Sequence, residues 1–440
     1  MRPCRRLLSS GILFALLALI VSRGFARPPE ASAAGSSHWV RRTRTGAAAP
    51  GLESYDRLVP RLMAKWGIPG GAVAVAKDGR LVLARGYGEA DTELHTPVRP
   101  TSRFRLASIS KPITSAAVLR LVEQGRLDLD DKVFGRLSRF KIPAVPVGDP
   151  RLQEITIRQL LRHTGGWDRE KSFDPMFRPG QIAAVMDVRP PAETEAIIRY
   201  MLRQRLDHDP GTTYAYSNFG YCLLGRVIEE ATGLSYEEAV RRLVLDPCGI
   251  HTMRLGRTRR RDRAPGEVVY YHHAPRELAS SVFLDPPKRV PWPYGGFYLE
   301  AMDSHGAWIG SAVDLMRFVT KLDGSRGIPL LRPETLKLMT ERPAISHGNA
   351  FYALGWSIRP VGHDANWWHG GSLPGTSTLL VRTARGEPRT SQAPGLAWAA
   401  LFNLRPKDRA GFRAELDATL WRAAGEVQHW PEGDLFDENR

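Results

Sequence analysis

A serine and a lysine three residues apart can form a nucleophile and its base, and Ser108 and Lys111 stand so within FRLASISKPIT, residues 104–114. A serine hydroxyl attacks poorly until a base takes its proton. A lysine one helical turn further on lies on the same side of the helix. It serves as that base when burial or neighbouring cations hold it neutral. The helix N-terminus also favours negative charge developing at the serine. The same stretch also reads as an ordinary helix start with a solvated lysine. Both residue types are common, so the spacing alone decides nothing.

Two downstream segments add the missing parts of an acyl-transfer site. TTYAYSNFGYCLLG carries Tyr216 and Asn218 on either side of Ser217, just before a helical pattern. A tyrosine hydroxyl there can relay a proton to a leaving group, and an asparagine amide can orient the lysine or a substrate amide. The plainer description is a core tyrosine followed by an Asn turn. WWHGGSLPGTST carries His369, Gly370, Gly371 and Ser372 at the end of a strand-like run. Glycines there let backbone approach a ligand closely. A backbone N–H from this strand, with that of Ser108, would form an oxyanion hole. The plainer description is a glycine turn.

Further polar residues are candidates of lower weight. Glu300, Asp303 and His305 precede a Gly-containing turn and either line the site or decorate a loop. HTGGW, from His163, reads as a structural turn, and Ser110 as a structural or cleft-lining hydroxyl. His272 and His273 are adjacent, without metal-ligand spacing or company, and read as surface residues. The chain has no Gly-x-Ser-x-Gly elbow, no His-Glu-x-x-His and no Gly-x-Gly-x-x-Gly. No metal or organic cofactor is implied.

The elements that must position these residues follow from periodicity. Residues 52–66 have helical apolar spacing, and 70–88 read as two strands around Asp78-Gly79, a hairpin signal. After the Ser-Lys stretch the helical pattern runs to Gly125, a C-cap residue. Pro112 suits only the first turn of a helix. The helix therefore starts just before it, with Ser108 exposed at the tip. Helical patterns fill 156–162, 193–205, 220–231 and 236–245; strand-like runs return at 351–360, 377–383 and 395–404; residues 409–425 form an amphipathic helix. Strands at both ends with helices between predict one sheet built from both termini, an inserted helical lobe over about 126–290, and a cleft between them.

With these motifs in order, the chain resembles the serine β-lactamase and penicillin-binding protein superfamily, in its class C-like, esterase-like, β-lactamase-related branch. IPGGAVAVAKDGRLV, FRLASISKPIT, ITIRQLLRHTGGW, YAYSNFGYCLLGRVIEEATG and HGGSLPGTST carry the resemblance across residues 52–424. It implies an α+β fold of the β-lactamase/transpeptidase type, an antiparallel sheet flanked by helices. It implies Ser108 as the acylated nucleophile, Lys111 as its base and Tyr216 as the proton shuttle. Asn218 would orient substrate, His369 would open the third motif, Gly371 would keep the strand clear, and Ser372 would supply the second oxyanion N–H. That third motif departs from the Lys-Thr-Gly of penicillin-binding proteins and most β-lactamases. A histidine is largely neutral at pH 7 where that lysine is a permanent cation. The expected function is thus a serine hydrolase acting on a small acyl ester, an amide or a D-amino-acid peptide. A D-alanyl-D-alanine carboxypeptidase or β-lactamase, and a non-catalytic cell-wall-binding protein on the same scaffold, are the alternatives.

Composition bounds the rest. The 440 residues carry 42% hydrophobic and 25% charged residues, a globular balance with room for a sizeable core. The net charge of +16 favours anionic surroundings, peptidoglycan among them, or reflects an arginine-rich surface. No nucleic-acid motif accompanies it, and RTRRRDR at 257–263 reads as a solvated loop. Residues 1–26 have the basic, apolar and small-residue layout of a signal peptide, with cleavage after Ala26. The apolar run, 7–21, is short for a membrane span, so a secreted or periplasmic protein is expected, with an uncleaved anchor as the alternative. Residues 27–50 read as a flexible linker, 51–425 as the hydrolase domain and 426–440 as a tail. Cys222 and Cys248 form either a disulfide or two buried thiols.

Overall fold

The computed structural model describes residues 43–438 apart from 284, 285, 287, 347 and 386–393. The signal segment and the first part of the linker lie outside the described residues.

The sheet is assembled from both ends of the chain, as periodicity predicts. Its strands are β1 (Arg44–Thr45), β2 (Gly70–Lys77), β3 (Arg80–Asp91), β4 (Phe351–Tyr352), β5 (Ser357–Val361), β6 (Asp364–Leu373), β7 (Thr376–Arg382) and β8 (Leu396–Phe402). They lie in the order β1-β3-β2-β8-β7-β6-β5-β4, all antiparallel along this path. Asp78 and Gly79 turn β2 into β3 with φ of 48° and 81°, the positive values a two-residue hairpin needs.

Alternation along the strands sorts the two faces. Val73 and Val75 of β2, with Trp398, Ala400 and Phe402 of β8, meet helices α1 (Glu53–Lys65) and α5 (Arg409–Gly425). Ala72, Ala74 and Ala76, with Ala397 and Ala399, face the lobe. There small residues admit α4 (Ala312–Leu322), which packs through Leu315, Met316 and Val319. Each fully buried leucine or phenylalanine contributes about 1.5–3 kcal/mol relative to exposure. Between sheet and lobe run α2 (Ser110–Glu123), buried on nearly every side, and α3 (Asn218–Thr232).

Several expectations are corrected here. Arg44 and Thr45, expected in the linker, instead pair with Tyr87 and Gly86 of β3. The tail is docked, with the Asp434 carboxylate accepting from the Leu81 N–H at 3.0 Å and Phe436 buried. The helical lobe also holds short strands, among them Tyr271–His272 and Leu278–Ser280. Ser108 is half-buried rather than exposed, because a 3-10 turn (Ala107–Ile109) precedes α2. His272 is buried, not on the surface. Cys222 and Cys248 are buried free thiols. No helix among the described residues is long and apolar enough to cross a membrane.

Candidate active site

The turn that carries Ser108 is clamped from both sides. The Leu106 N–H donates to the Trp308 carbonyl at 2.8 Å, while the Leu106 carbonyl accepts from Thr378 Oγ1 of β7 at 2.9 Å. Ala107 takes φ +50°, a left-handed conformation that only surrounding structure sustains in a residue with a Cβ. This kink sets Ser108 against β6. Ser110 is fully buried and its hydroxyl accepts from the Trp308 N–H at 3.3 Å, so it is structural.

Lys111 is fully buried, and its Nζ has three polar neighbours. It lies 2.7 Å from Asn218 Oδ1, 3.0 Å from the His305 carbonyl and 3.3 Å from Ser108 Oγ. Burial holds its pKa well below that of an ordinary lysine; the Asp174 carboxylate pulls it part of the way back and Arg169 pushes it further down. A neutral amine has two N–H donors and one lone pair. The two shorter contacts take the donors, so the lone pair faces the Ser108 hydroxyl.

Tyr216 completes the cluster. The Ser108 hydroxyl acts on its phenol, and its ring face lies 4.8 Å from Lys111 Nζ. Burial raises its pKa well above that of an ordinary tyrosine, which keeps it protonated. Ser217 caps α3 by accepting from the Gly220 N–H at 3.1 Å, which fixes Tyr216 and Asn218 on either side of the cap. The Asn218 amide orientation is set from both ends: Oδ1 takes the lysine, and Nδ2 donates to Asp174 Oδ2 at 2.6 Å.

On the opposite wall, β6 pairs with β5 only from Asp364 to Trp368, so residues 369–373 carry no strand on that edge and face the Ser108 turn. A Cβ on Gly371 would fall 2.1 Å from Thr378 Oγ1 and 2.4 Å from the Leu106 carbonyl, which only glycine avoids. His369 is buried; its Nδ1 lies 2.9 Å from the Gly370 carbonyl and its Nε2 3.1 Å from the Tyr352 hydroxyl. Burial, then Lys111, pulls its pKa down to about 3, so it is neutral. Ser372 lines the same cleft, and its hydroxyl has no protein partner. The cleft, about 680 Å³, is also lined by Arg169, Lys407, Arg409 and Arg413, with Asp408 the carboxylate among them.

All seven residues picked out in the sequence therefore converge. Glu300 does not join them; it accepts from the Thr258 N–H at 3.2 Å. Asp303 pairs with Arg226, and His305 contributes its carbonyl. Other residues join the site. His163 is not merely a turn residue: its Nδ1 accepts from the Ser217 N–H at 3.1 Å, and its ring lies 4.3 Å from Tyr216 and 4.6 Å from Tyr352. Its place in HTGGW was the available signal. Asp174 and Tyr352 had none, because their roles arise only from long-range packing.

A turn-borne serine, a buried lysine reaching it and a tyrosine above both, set between a two-ended antiparallel sheet and a helical lobe, define the active-site-serine class of β-lactamase and penicillin-binding folds. The chain belongs to the Beta-lactamase family, which matches residues 55–420. Among its relatives, a protein named for fimbrial assembly, FimD of serogroup D from Dichelobacter nodosus, is 30% identical over 71% of this chain and 72% of its own. Penicillin-binding protein 4* of Bacillus subtilis (strain 168) is 27% identical over 71% of this chain and 65% of its own, so the match leaves about a third of that relative uncovered. Of solved structures, EstCE1, a hydrolase with promiscuous acyltransferase activity, superposes with a TM-score of 0.64 at 22% identity, covering 85% of this chain and 98% of that one. D-amino acid amidase from Ochrobactrum anthropi SV3 superposes at 0.61 and 21% identity, over 85% and 97%. At these identities the likeness is one of fold.

Proposed function

We propose that the chain is an exported serine hydrolase that cleaves an ester or amide, a small acyl ester or a D-amino-acid amide or peptide, through an acyl-enzyme on Ser108. The observation that carries this reading is the environment of Lys111. A buried amine with both N–H groups engaged turns its lone pair to the serine. Ser108 Oγ attacks the substrate carbonyl as its proton passes to Lys111 Nζ. Backbone N–H groups of Ser108 and Ser372 hold the oxyanion. Tyr216 gives its phenol proton to the leaving oxygen or nitrogen and regains one from the Lys111 ammonium. Water then cleaves the acyl ester, and the serine recovers its hydrogen. The basic, apolar and small-residue layout of 1–26 supports export.

His369 is neutral and held by its neighbours, so it offers no cation for a carboxylate at the third motif. The arginines at the cleft mouth favour a second reading, a penicillin-binding carboxypeptidase or β-lactamase whose substrate carboxylate meets Arg413 or Arg169 instead. A panel of p-nitrophenyl esters, D-amino-acid amides and a fluorescent penicillin, run against the Ser108→Ala variant, tests both. Turnover of esters or amides that disappears in the variant supports the first. Saturable penicillin labelling at low concentration with slow ester turnover supports the second. Turnover that survives in Ser108→Ala refutes both.

A further inference from the structure

Away from the cleft, a second group of side chains has the chemistry of a ligand set. His272 Nε2, His273 Nδ1 and a Glu277 carboxylate oxygen all lie within 4.8 Å of one another. We propose that these three residues bind one divalent transition-metal ion of the zinc type, which fixes the turn between His272 and Glu277.

Each nitrogen aimed into this group is buried and lacks a partner. His272 is only 7% exposed. An orphaned buried nitrogen is costly, and a metal ion relieves it. The opposite nitrogen of His272 is anchored in the way metal-bound imidazoles usually are, by N–H donation to a backbone carbonyl. His272 Nδ1 lies 3.1 Å from the Ala274 carbonyl. The Ala274 N–H approaches the same atom at 3.3 Å. Coordination through Nε2 selects the tautomer that donates to the carbonyl. The Arg405 backbone lies close to the His273 ring, and His273 Nδ1 has no partner.

Three donors about 2.0–2.2 Å from a zinc ion sit about 3.3 Å apart in a tetrahedral set, with water in the fourth position. Glu277 is exposed and swings to close that gap while giving the ion a path from solvent. Two imidazoles exclude a calcium- or magnesium-type ion, which takes oxygen ligands. The Arg405 guanidinium and the Glu277 carboxylate act on His273 with opposite sign. The site is attached to the cleft wall: Tyr271 and His272 pair with Leu404 and Arg405, and Lys407 to Arg409, which follow, line the cleft.

Titration of the full, untagged chain with Zn²⁺ by calorimetry, and with Co²⁺ by visible absorption, tests this. The expected result is one ion per chain and a rise in melting temperature. Glu277→Gln should weaken binding by more than about tenfold, and His273→Ala should abolish it. Glu277 is exposed, so its variant keeps the test valid if His273→Ala does not fold. Failure to take up Zn²⁺, or uptake that is equal in Glu277→Gln and wild type, would overturn the proposal.

Discussion

Replacing Lys111 by methionine separates chemistry from folding. The substitution keeps roughly the volume of the side chain but removes the base. General base assistance contributes about 10²–10⁴ in rate. At about 1.4 kcal/mol per tenfold, acylation loses about 3–5.5 kcal/mol of transition-state stabilisation. The folding ledger differs. The Asn218 Oδ1 and His305 carbonyl acceptors lose their donor, at about 1–3 kcal/mol each. Against this, the cost of burying an ionisable amine is recovered, so the native state survives. Stability also changes its pH dependence. In the folded protein the Lys111 pKa lies well below 10.5, whereas the unfolded chain keeps the ordinary value. Between those two pKa values the unfolded state binds the extra proton. Wild-type stability therefore rises with pH across that window and is flat, with respect to this group, below it. In Lys111→Met that rise disappears. Stopped-flow measurement of the p-nitrophenol burst, with denaturant titrations from pH 7 to 10, reads both effects. An unchanged burst rate in a folded Lys111→Met protein would refute the base assignment.

Other substitutions probe the supports of the site. Gly371→Ala drives a Cβ into the Leu106 carbonyl and Thr378. It should cost about 1–3 kcal/mol of stability by urea titration and displace Ser108 enough to cut the burst rate at least tenfold. Asp174→Asn removes the carboxylate that raises the Lys111 pKa, so the acidic limb of the kcat/KM profile should move to lower pH. An unmoved limb would show that Asp174 does not reach the base. Tyr352→Phe leaves His369 Nε2 without its donor; a loss of about 1–3 kcal/mol by denaturant titration is expected, with Ser108 still labelled by a fluorophosphonate.

The hairpin, the two-ended sheet and α5 were legible because each rests on local periodicity and turn chemistry. Asp78-Gly79 and the apolar positions of 409–425 carry those signals within a few residues. The convergence of Ser108, Lys111, Tyr216, Asn218 and the glycines at 370 and 371 was legible because each stands in a short, ordered motif. What could not be read is set by contacts between distant segments. Asp174 meets Asn218 across 44 residues, and His163 reaches Ser217 across 54. The half-burial of Ser108 depends on the left-handed Ala107, which alanine does not advertise. The edge strand at Arg44–Thr45 was hidden because two residues are too few to show alternation.

Every step of the proposed reaction requires that Ser108 become acylated. Mass spectrometry of the intact protein after brief reaction with a fluorophosphonate, followed by peptide mapping, measures this directly. One adduct per chain is expected, on the peptide containing Ser108, and none in Ser108→Ala. An adduct on another residue, one that persists in Ser108→Ala, or no adduct at all in folded wild-type protein would contradict it.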